Sequence, residues 1–381
     1  MTARQRLLSV LRGQIPDRVP VSLCKINPYD PKSFWAQHKS FHSLLEKAKE
    51  SCDTFLHYRP PTGFFFSSPN AIEVTEEKIC DSPGSETITL RVRTEKGLLE
   101  RTARTSRHSI ERWVLKPWIN SFADLDKFLS LPFSPFVPDI SDLKEKEREY
   151  GELTLSLLPI PTPVGVAGTL FAPGELSQFL LQNPKKIEAL LDKLFERLVP
   201  TYQYLSQNLM NVVFRVRGSE YLTPPTLPPG YFPNYRDIFN RFVVRYDTLL
   251  INLLRQGNFN FICYHWHDIV PDLLPMVVKM APDILEPVIN TFDVPTMVES
   301  VKEAVGSEIT LMAGLSLEDI DFRSIHEIET MTKSVLQQGA KNGRFILIPS
   351  DVPSAVPFQP QTKENLFRFI DIGAESFYPF T

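Results

Sequence analysis

The stretch Phe259-Asn260-Phe261-Ile262-Cys263-Tyr264-His265-Trp266-His267-Asp268 passes from an apolar, strand-like run into polar residues. In an extended chain residues i and i+2 share a face, so Cys263, His265 and His267 point the same way and the two imidazoles sit at the strand's carboxyl end. A barrel enzyme presents metal ligands or proton carriers in this manner. The same pair also suits a hydrogen-bonded element of a polar loop, because imidazole both donates and accepts. The chain has 7 His, and two of them stand here beside an aspartate.

Eight short apolar, β-branched runs are read along the chain: Val19 to Leu23, Cys52 to His57, Leu153 to Leu158, Val212 to Arg217, Phe259 to His265, Ile284 to Val288, Ile309 to Met312 and Phe345 to Ile348. Helical patterns fall between most of them, including Phe41 to Glu50, Pro184 to Asn208, Asn234 to Gln256, Ile269 to Met280, Val294 to Ala304 and Glu327 to Gly339. Asn183 is placed to cap the second of these, with Pro184 in its first turn. Alternating strands and helices predict a parallel sheet. Eight of them predict an α/β chain folded as one (β/α)8 TIM barrel over residues 1–381. Two segments break the alternation. From about residue 71 to 117 the chain reads as an antiparallel β-hairpin insertion, with Thr87 to Arg93 and its partner flanking Glu95-Lys96-Gly97. From about 131 to 151 it is Pro-rich and then charged, as a surface segment would be.

With 381 residues, 43% hydrophobic and 23% charged, the composition is that of a globular protein. The net charge of −4 and the lack of a long basic run leave out the footprint of a nucleic-acid binder. Small molecules or other proteins are the expected partners. No run of about 18 apolar residues spans a membrane, and Met1 to Leu8 lacks the apolar core of a signal peptide. Cys24, Cys52, Cys80 and Cys263 are scattered, which fits a reducing cytoplasm and excludes a Cys-x-x-Cys zinc site.

In a parallel barrel the site lies where the strands end at their carboxyl side. The polar residues that close the runs are Gly218-Ser219-Glu220-Tyr221, His265 to Asp268, Glu286 with Asn290, Gly314, and Ser350-Asp351. Two imidazoles and carboxylates from neighbouring strands make a zinc site with an open position, so His265, His267, Glu220 and Asp351 are the candidate ligands and catalytic groups. Each carboxylate has an ordinary reading as well. Glu220 can bond the backbone of the Gly218 turn, and Asp351, before Val352-Pro353, can initiate a loop. Cys263 points inward one layer deeper. Tyr221, Trp266, Arg217, Glu286 and Asn290 are candidate substrate contacts, Phe64-Phe65-Phe66 a lid, and Thr223 to Gly230 a stiff loop shaping the mouth.

The opening, Thr2-Ala3-Arg4-Gln5-Arg6-Leu7-Leu8-Ser9-Val10-Leu11-Arg12-Gly13 followed by Pro16-Asp17-Arg18-Val19-Pro20-Val21, resembles the start of the uroporphyrinogen decarboxylase superfamily, in the branch that includes cobalamin-dependent methyltransferases. The Gly218 turn, the His265-x-His267 strand end, Asn342 to Leu347 and Glu364-Asn365-Leu366 resemble later landmarks of that branch, in order, over nearly the whole chain. The resemblance implies a (β/α)8 barrel that transfers a methyl group between a small methylated compound or thiol and a corrinoid protein. In the thiol-methylating members zinc is held by a His-x-Cys pair and a later Cys; by position these become His265, His267 and a residue at or near Asp351. With both cysteines absent, the harder donor set suits an oxygen-bearing methyl donor, with the metal as Lewis acid. Asp268 stands where many members have Gly, and Ile289 or Asn290 replaces an acidic residue after the sixth strand. The Arg-x-x-Gly-Arg segment of true uroporphyrinogen decarboxylases is missing from Leu23 to Asp30, so a substrate with many carboxylates would be poorly matched.

The leading expectation is therefore a methyltransferase component. Its corrinoid comes from a partner in trans, since no Asp-x-His-x-x-Gly pattern occurs here. A second reading is a metal-independent decarboxylase of a small acid, with His265 and His267 as proton donors and Arg215 or Arg217, whichever faces the interior, holding a carboxylate. A third is a barrel that only binds.

Overall fold

A computed structural model describes residues 1–107, 109, 112–227, 234–257, 259–267, 269–289 and 293–378. In chain order the strands are β1 (Thr54–His57), β2 (Val74–Ser82), β3 (Ser85–Thr94), β4 (Gly97–Ser106), β5 (Arg112–Lys116), β6 (Thr154–Pro161), β7 (Val213–Arg217), β8 (Phe261–His267), β9 (Ile284–Val288), β10 (Thr310–Ala313) and β11 (Phe345–Leu347). Seven of them form one sheet, β1-β6-β7-β8-β9-β10-β11, with every neighbouring pair parallel. Their residues are buried almost throughout, which is why they read as continuous apolar runs rather than as alternating ones.

The eighth strand expected from Val19 to Leu23 is a single bridged residue, Val21 opposite Leu347. The segment nonetheless bonds to both edges of the sheet. Leu347 N donates to Pro20 O and Ser22 N to Leu347 O, each at 2.9 Å, while Asp53 N donates to Val21 O at 2.6 Å. Pro20 has no N–H and so cannot extend a ladder. The result is a seven-stranded sheet curled towards its own first segment, and a full eight-stranded barrel is not formed among the described residues. Asp53, fully buried, ties this seam. It accepts from Arg6 Nη1 at 2.6 Å, Arg18 Nη1 at 2.7 Å and Val21 N at 3.0 Å, and Arg6 also pairs with Asp17.

The insertion is a separate four-stranded antiparallel sheet, β2-β3-β4-β5. The β3–β4 turn pairs Thr94 with Gly97, whose φ of +122° suits glycine. One face of this sheet is inward, since Val92, Leu99 and Ala103 are buried. Leu99, Arg101 and Ala103 share that face by strand alternation. The charged segment contains the helix Ser141–Tyr150, of which only Leu143 is buried. Helix Pro184–Asn208 begins as expected, the Asn183 side chain accepting from Lys186 N. The helix read over Asn234 to Gln256 instead has a π-helical turn, Asn240–Val244, between Tyr235–Phe239 and Arg245–Leu254.

Candidate functional site

The interior beneath the strand ends holds a charged cluster built from three adjacent strands. In the β7–β8–β9 register Arg215 lies opposite Cys263, and His265 opposite Glu286. Arg215 Nη2 donates to Glu286 Oε1 at 2.7 Å and to His265 Nδ1 at 2.9 Å, while Arg215 Nε donates to Glu286 Oε2. A guanidinium only donates and a carboxylate only accepts; Nδ1 lies against both, 2.9 Å from Arg215 Nη2 and 3.2 Å from Glu286 Oε2, so the ring is held between the two charges. Burial opposes ionisation of Glu286, but Arg215 and His265 outweigh it and hold the carboxyl well below its ordinary range. Burial also pushes the His265 pKa down, with Arg215 adding to that and Glu286 opposing it. Half-buried His57 is lowered to about 3 by burial and then by Arg215, and burial raises the Cys24 thiol to about 12. The cluster is thus one ion pair surrounded by neutral imidazoles and thiols. His267 stands outward of it, its ring 4.6 Å from that of His265 and nearly perpendicular to it.

A cavity of about 280 Å³ lies at the carboxyl ends of β6 and β7. Its position depends on a close backbone approach. Thr162 caps the helix Pro163–Gly168, accepting from Gly165 N at 3.1 Å, and its own N–H donates to Arg217 O at 3.0 Å. Gly165 then passes so near the end of β7 that an added Cβ would lie 2.7 Å from Arg217 O, and Gly218 (φ +130°) would strike Gly165 in return. Only glycine fits such a crossing. The turn that follows carries Glu220 and Tyr221 onto the cavity wall. Arg101 from β4 and Trp118 beyond β5 form the facing wall, so the antiparallel insertion caps the mouth.

Phe65 and Phe66 also line the cavity, with φ of +51° and +57°. A left-handed conformation costs an L-residue roughly 1–2 kcal/mol. Packing and hydrogen bonds hold it here. Phe65 lies edge-on to Trp118 and Phe128 at 5.3 and 4.9 Å, and buried Arg197 donates to Phe65 O, Leu131 O and Pro132 O.

The residues named from sequence divide between these two places and the surface. Arg217 and Tyr221 line the cavity, as does Glu220, whose carboxylate is turned back to accept from Gly218 N at 2.9 Å. His265 and Glu286 belong to the interior cluster, where both Glu286 oxygens are committed to Arg215. Asp351 is exposed, pairs with Lys25 Nζ at 3.0 Å and caps Val352 N at 2.8 Å. Trp266 corrects the expectation of a pocket residue. Its parity is opposite to that of the histidines, so it is fully buried on the other face of β8, with its ring 6.2 Å from Phe239. Asn290 and Asp268 lie outside the described residues, as does the Thr223 to Gly230 segment beyond residue 227.

Sequence reading also treated Arg215 and Arg217 as alternatives. Being i and i+2 they share a face, and both are interior: Arg215 is neutralised by Glu286, and Arg217 stands one layer nearer the mouth. The donors proposed for zinc are not drawn together. Among the described residues no three His, Cys, Asp or Glu side chains converge in a group able to hold a metal ion. His265 Nδ1, Glu220 and Asp351 each have the other partners described above. Arg101 was missed, although its signal was legible as a charge at the inward position of Leu99-x-Arg101-x-Ala103. Nothing local marked His57 or Cys24.

No family model matches the sequence, and no curated protein matches it. Among solved structures, a methyltransferase from Methanosarcina mazei is similar over 98% of this chain and 98% of its own, at 14% identity and a TM-score of 0.55. This likeness is one of fold. A tryptophan synthase from M. tuberculosis matches 62% of this chain and 98% of its own at 11% identity, with a TM-score of 0.24 that carries no argument. No helix among the described residues is long and apolar enough to cross a membrane.

Proposed function

We propose that this chain is a methyltransferase that moves a methyl group between a small oxygen-bearing substrate, held in the capped cavity, and a corrinoid carried as co-substrate by a separate protein. The observation that carries the reading is the likeness in fold to a methyltransferase across the full length of both chains. The enclosed cavity at the carboxyl ends of β6 and β7 supports it, that being where parallel barrels place their chemistry.

When the methyl–oxygen bond breaks, the oxygen keeps the electron pair and needs a proton, while the methyl group passes to the partner's corrinoid. His267 is the proposed donor. It is partly exposed at the end of β8, the strand beside β7, just outside the residues that line the cavity, whereas His265 behind it is pinned by Arg215. Tyr221, Phe65 and Trp118 enclose the substrate and exclude water. The described donor geometry does not assemble a zinc site, so no step is assigned to a metal.

The test is to mix the protein with reduced cobalamin and a panel of methyl ethers and follow the absorbance of the cobalt. Donor-dependent methylation that falls roughly 10²-fold or more in His267→Ala supports the reading, this being the usual range for losing a general acid. No donor-dependent change above the protein-free rate, with folded protein, rejects it.

A further inference from the structure

The cavity has an electrostatic character that methyl transfer alone does not require. Arg217 and Arg101 approach it from opposite walls, one from β7 and the other from the inward face of β4. Among the described residues neither has a carboxylate partner, and the buried Arg217 Nε has no hydrogen-bond partner. Arg59, exposed just beyond β1, is likewise without an ion-pair partner among the described residues. Burial, and then Arg217, Arg112 and Arg215, hold its guanidinium below its ordinary value; burial and then Arg112 do the same for Arg101. Arg59 thus feels Arg217, and Arg101 feels Arg112, with no carboxylate among the causes for either.

Elsewhere the fold pairs its buried arginines with care. Arg6 meets Asp17 and Asp53, Arg215 meets Glu286, and Arg197 donates to three carbonyls. A buried donor is normally satisfied, and an arginine fork left open towards a cavity fits an oxyanion in two-point contact. Among the described residues Glu220 is the one carboxylate in the lining, and its Oε2 already accepts from the Gly218 N–H. Phe65, Phe66, Trp118 and Leu170 give the cavity an apolar side, beside the hydroxyl-bearing Thr62, Thr169 and Tyr221.

We propose that the cavity binds a small organic anion, its carboxylate or phosphate held between Arg217 and Arg101 and its apolar body against Phe65 and Trp118. The ligand's charge supplies the missing partner, and the strained Phe65-Phe66 loop, fixed by Arg197, keeps the cavity preformed. This names the substrate class of the site and rests on the preceding reading only in taking this cavity as the substrate site. Binding is measured without corrinoid or turnover, so the two can fail separately.

The experiment is isothermal titration of the full chain with benzoate, phenyl phosphate and the neutral benzamide. Saturable binding of either acid is expected, benzamide binding at least about tenfold more weakly and the acid's affinity falling with added salt. Whichever acid binds more tightly identifies carboxylate or phosphate as the preferred group. Arg217→Met and Arg101→Met should each raise the Kd of that acid roughly tenfold or more, while Lys341→Met, at an exposed position elsewhere, leaves it unchanged. Thermal melts check that each variant is folded, and Arg217→Lys, which keeps the charge, recovers part of the affinity. Benzamide binding as tightly as the acids, equal losses from Lys341→Met, or no acid binding at up to about 10 mM overturns the proposal.

Discussion

Glu286→Ala isolates the charge balance inside the curled parallel sheet. Glu286 is 5% exposed and Arg215 7%, and among the described residues the carboxylate is the only acidic group bonded to that guanidinium. Removing it leaves a buried, uncompensated cation, which typically costs about 3–5 kcal/mol. Against a total stability of roughly 5–15 kcal/mol, this is a large share of what holds the fold. Urea unfolding at pH 7, read by the fluorescence of the 4 Trp, measures the loss. The double variant Arg215→Met/Glu286→Leu removes both charges and restores volume, so it should regain most of the stability, within about 2 kcal/mol of the parent. Glu286→Gln, with one acceptor oxygen left, should fall between. The sign with pH follows from a carboxyl held below its ordinary range. The pair's contribution is complete above the unfolded value of about 4.3 and is lost as pH falls through the lower folded one, so parent and Glu286→Ala converge in acid. A loss under about 1 kcal/mol for Glu286→Ala, or a double variant no more stable than the single, would refute the reasoning.

Two further outcomes follow from the same interior. His57, lowered to about 3, binds fewer protons folded than unfolded between that value and its ordinary one near 6.5, so folding stability declines as pH drops through this window. His57→Gln should flatten the decline by at most about 1.4 kcal/mol per pH unit in melts taken from pH 7 to 4; an unchanged slope counts against the assignment. Gly168 lies against the Tyr221 ring, which an added Cβ would overlap, so Gly168→Ala should destabilise by about 1–3 kcal/mol and weaken ligand binding in the cavity; a variant with unaltered melting and binding would show that Tyr221 moves freely.

The site combines two kinds of charge. The interior pair Arg215–Glu286 is self-contained and holds the ring of His265 between its two charges. The arginines nearer the mouth are left open, and an arrangement that departs from the pairing used elsewhere in a fold is where function is to be sought. The second kind depends on the antiparallel insertion, which supplies Arg101 and so part of the cavity wall.

Most of the parallel sheet was legible from sequence, because strands covered on both faces must be apolar throughout and helices must lie between them. The run Ile284 to Val288 emerges with the boundaries read for it, and the others shift by one to three residues at their ends. The hairpin of β3 and β4 was legible from its alternation about Glu95-Lys96-Gly97. Val19 to Leu23, read as an eighth strand, forms a single bridge instead, because Pro20 has no N–H with which to extend a ladder. The partners of the charged groups could not be read in this way. Glu286 meets Arg215 across 71 positions, and Asp351 meets Lys25 across 326. A carboxylate at a strand end is free for chemistry or consumed by a neighbour according to which distant cation the fold brings beside it. Strand alternation is set within a few residues and is written locally, whereas charge neutralisation acts through space and is decided only once the tertiary structure has closed.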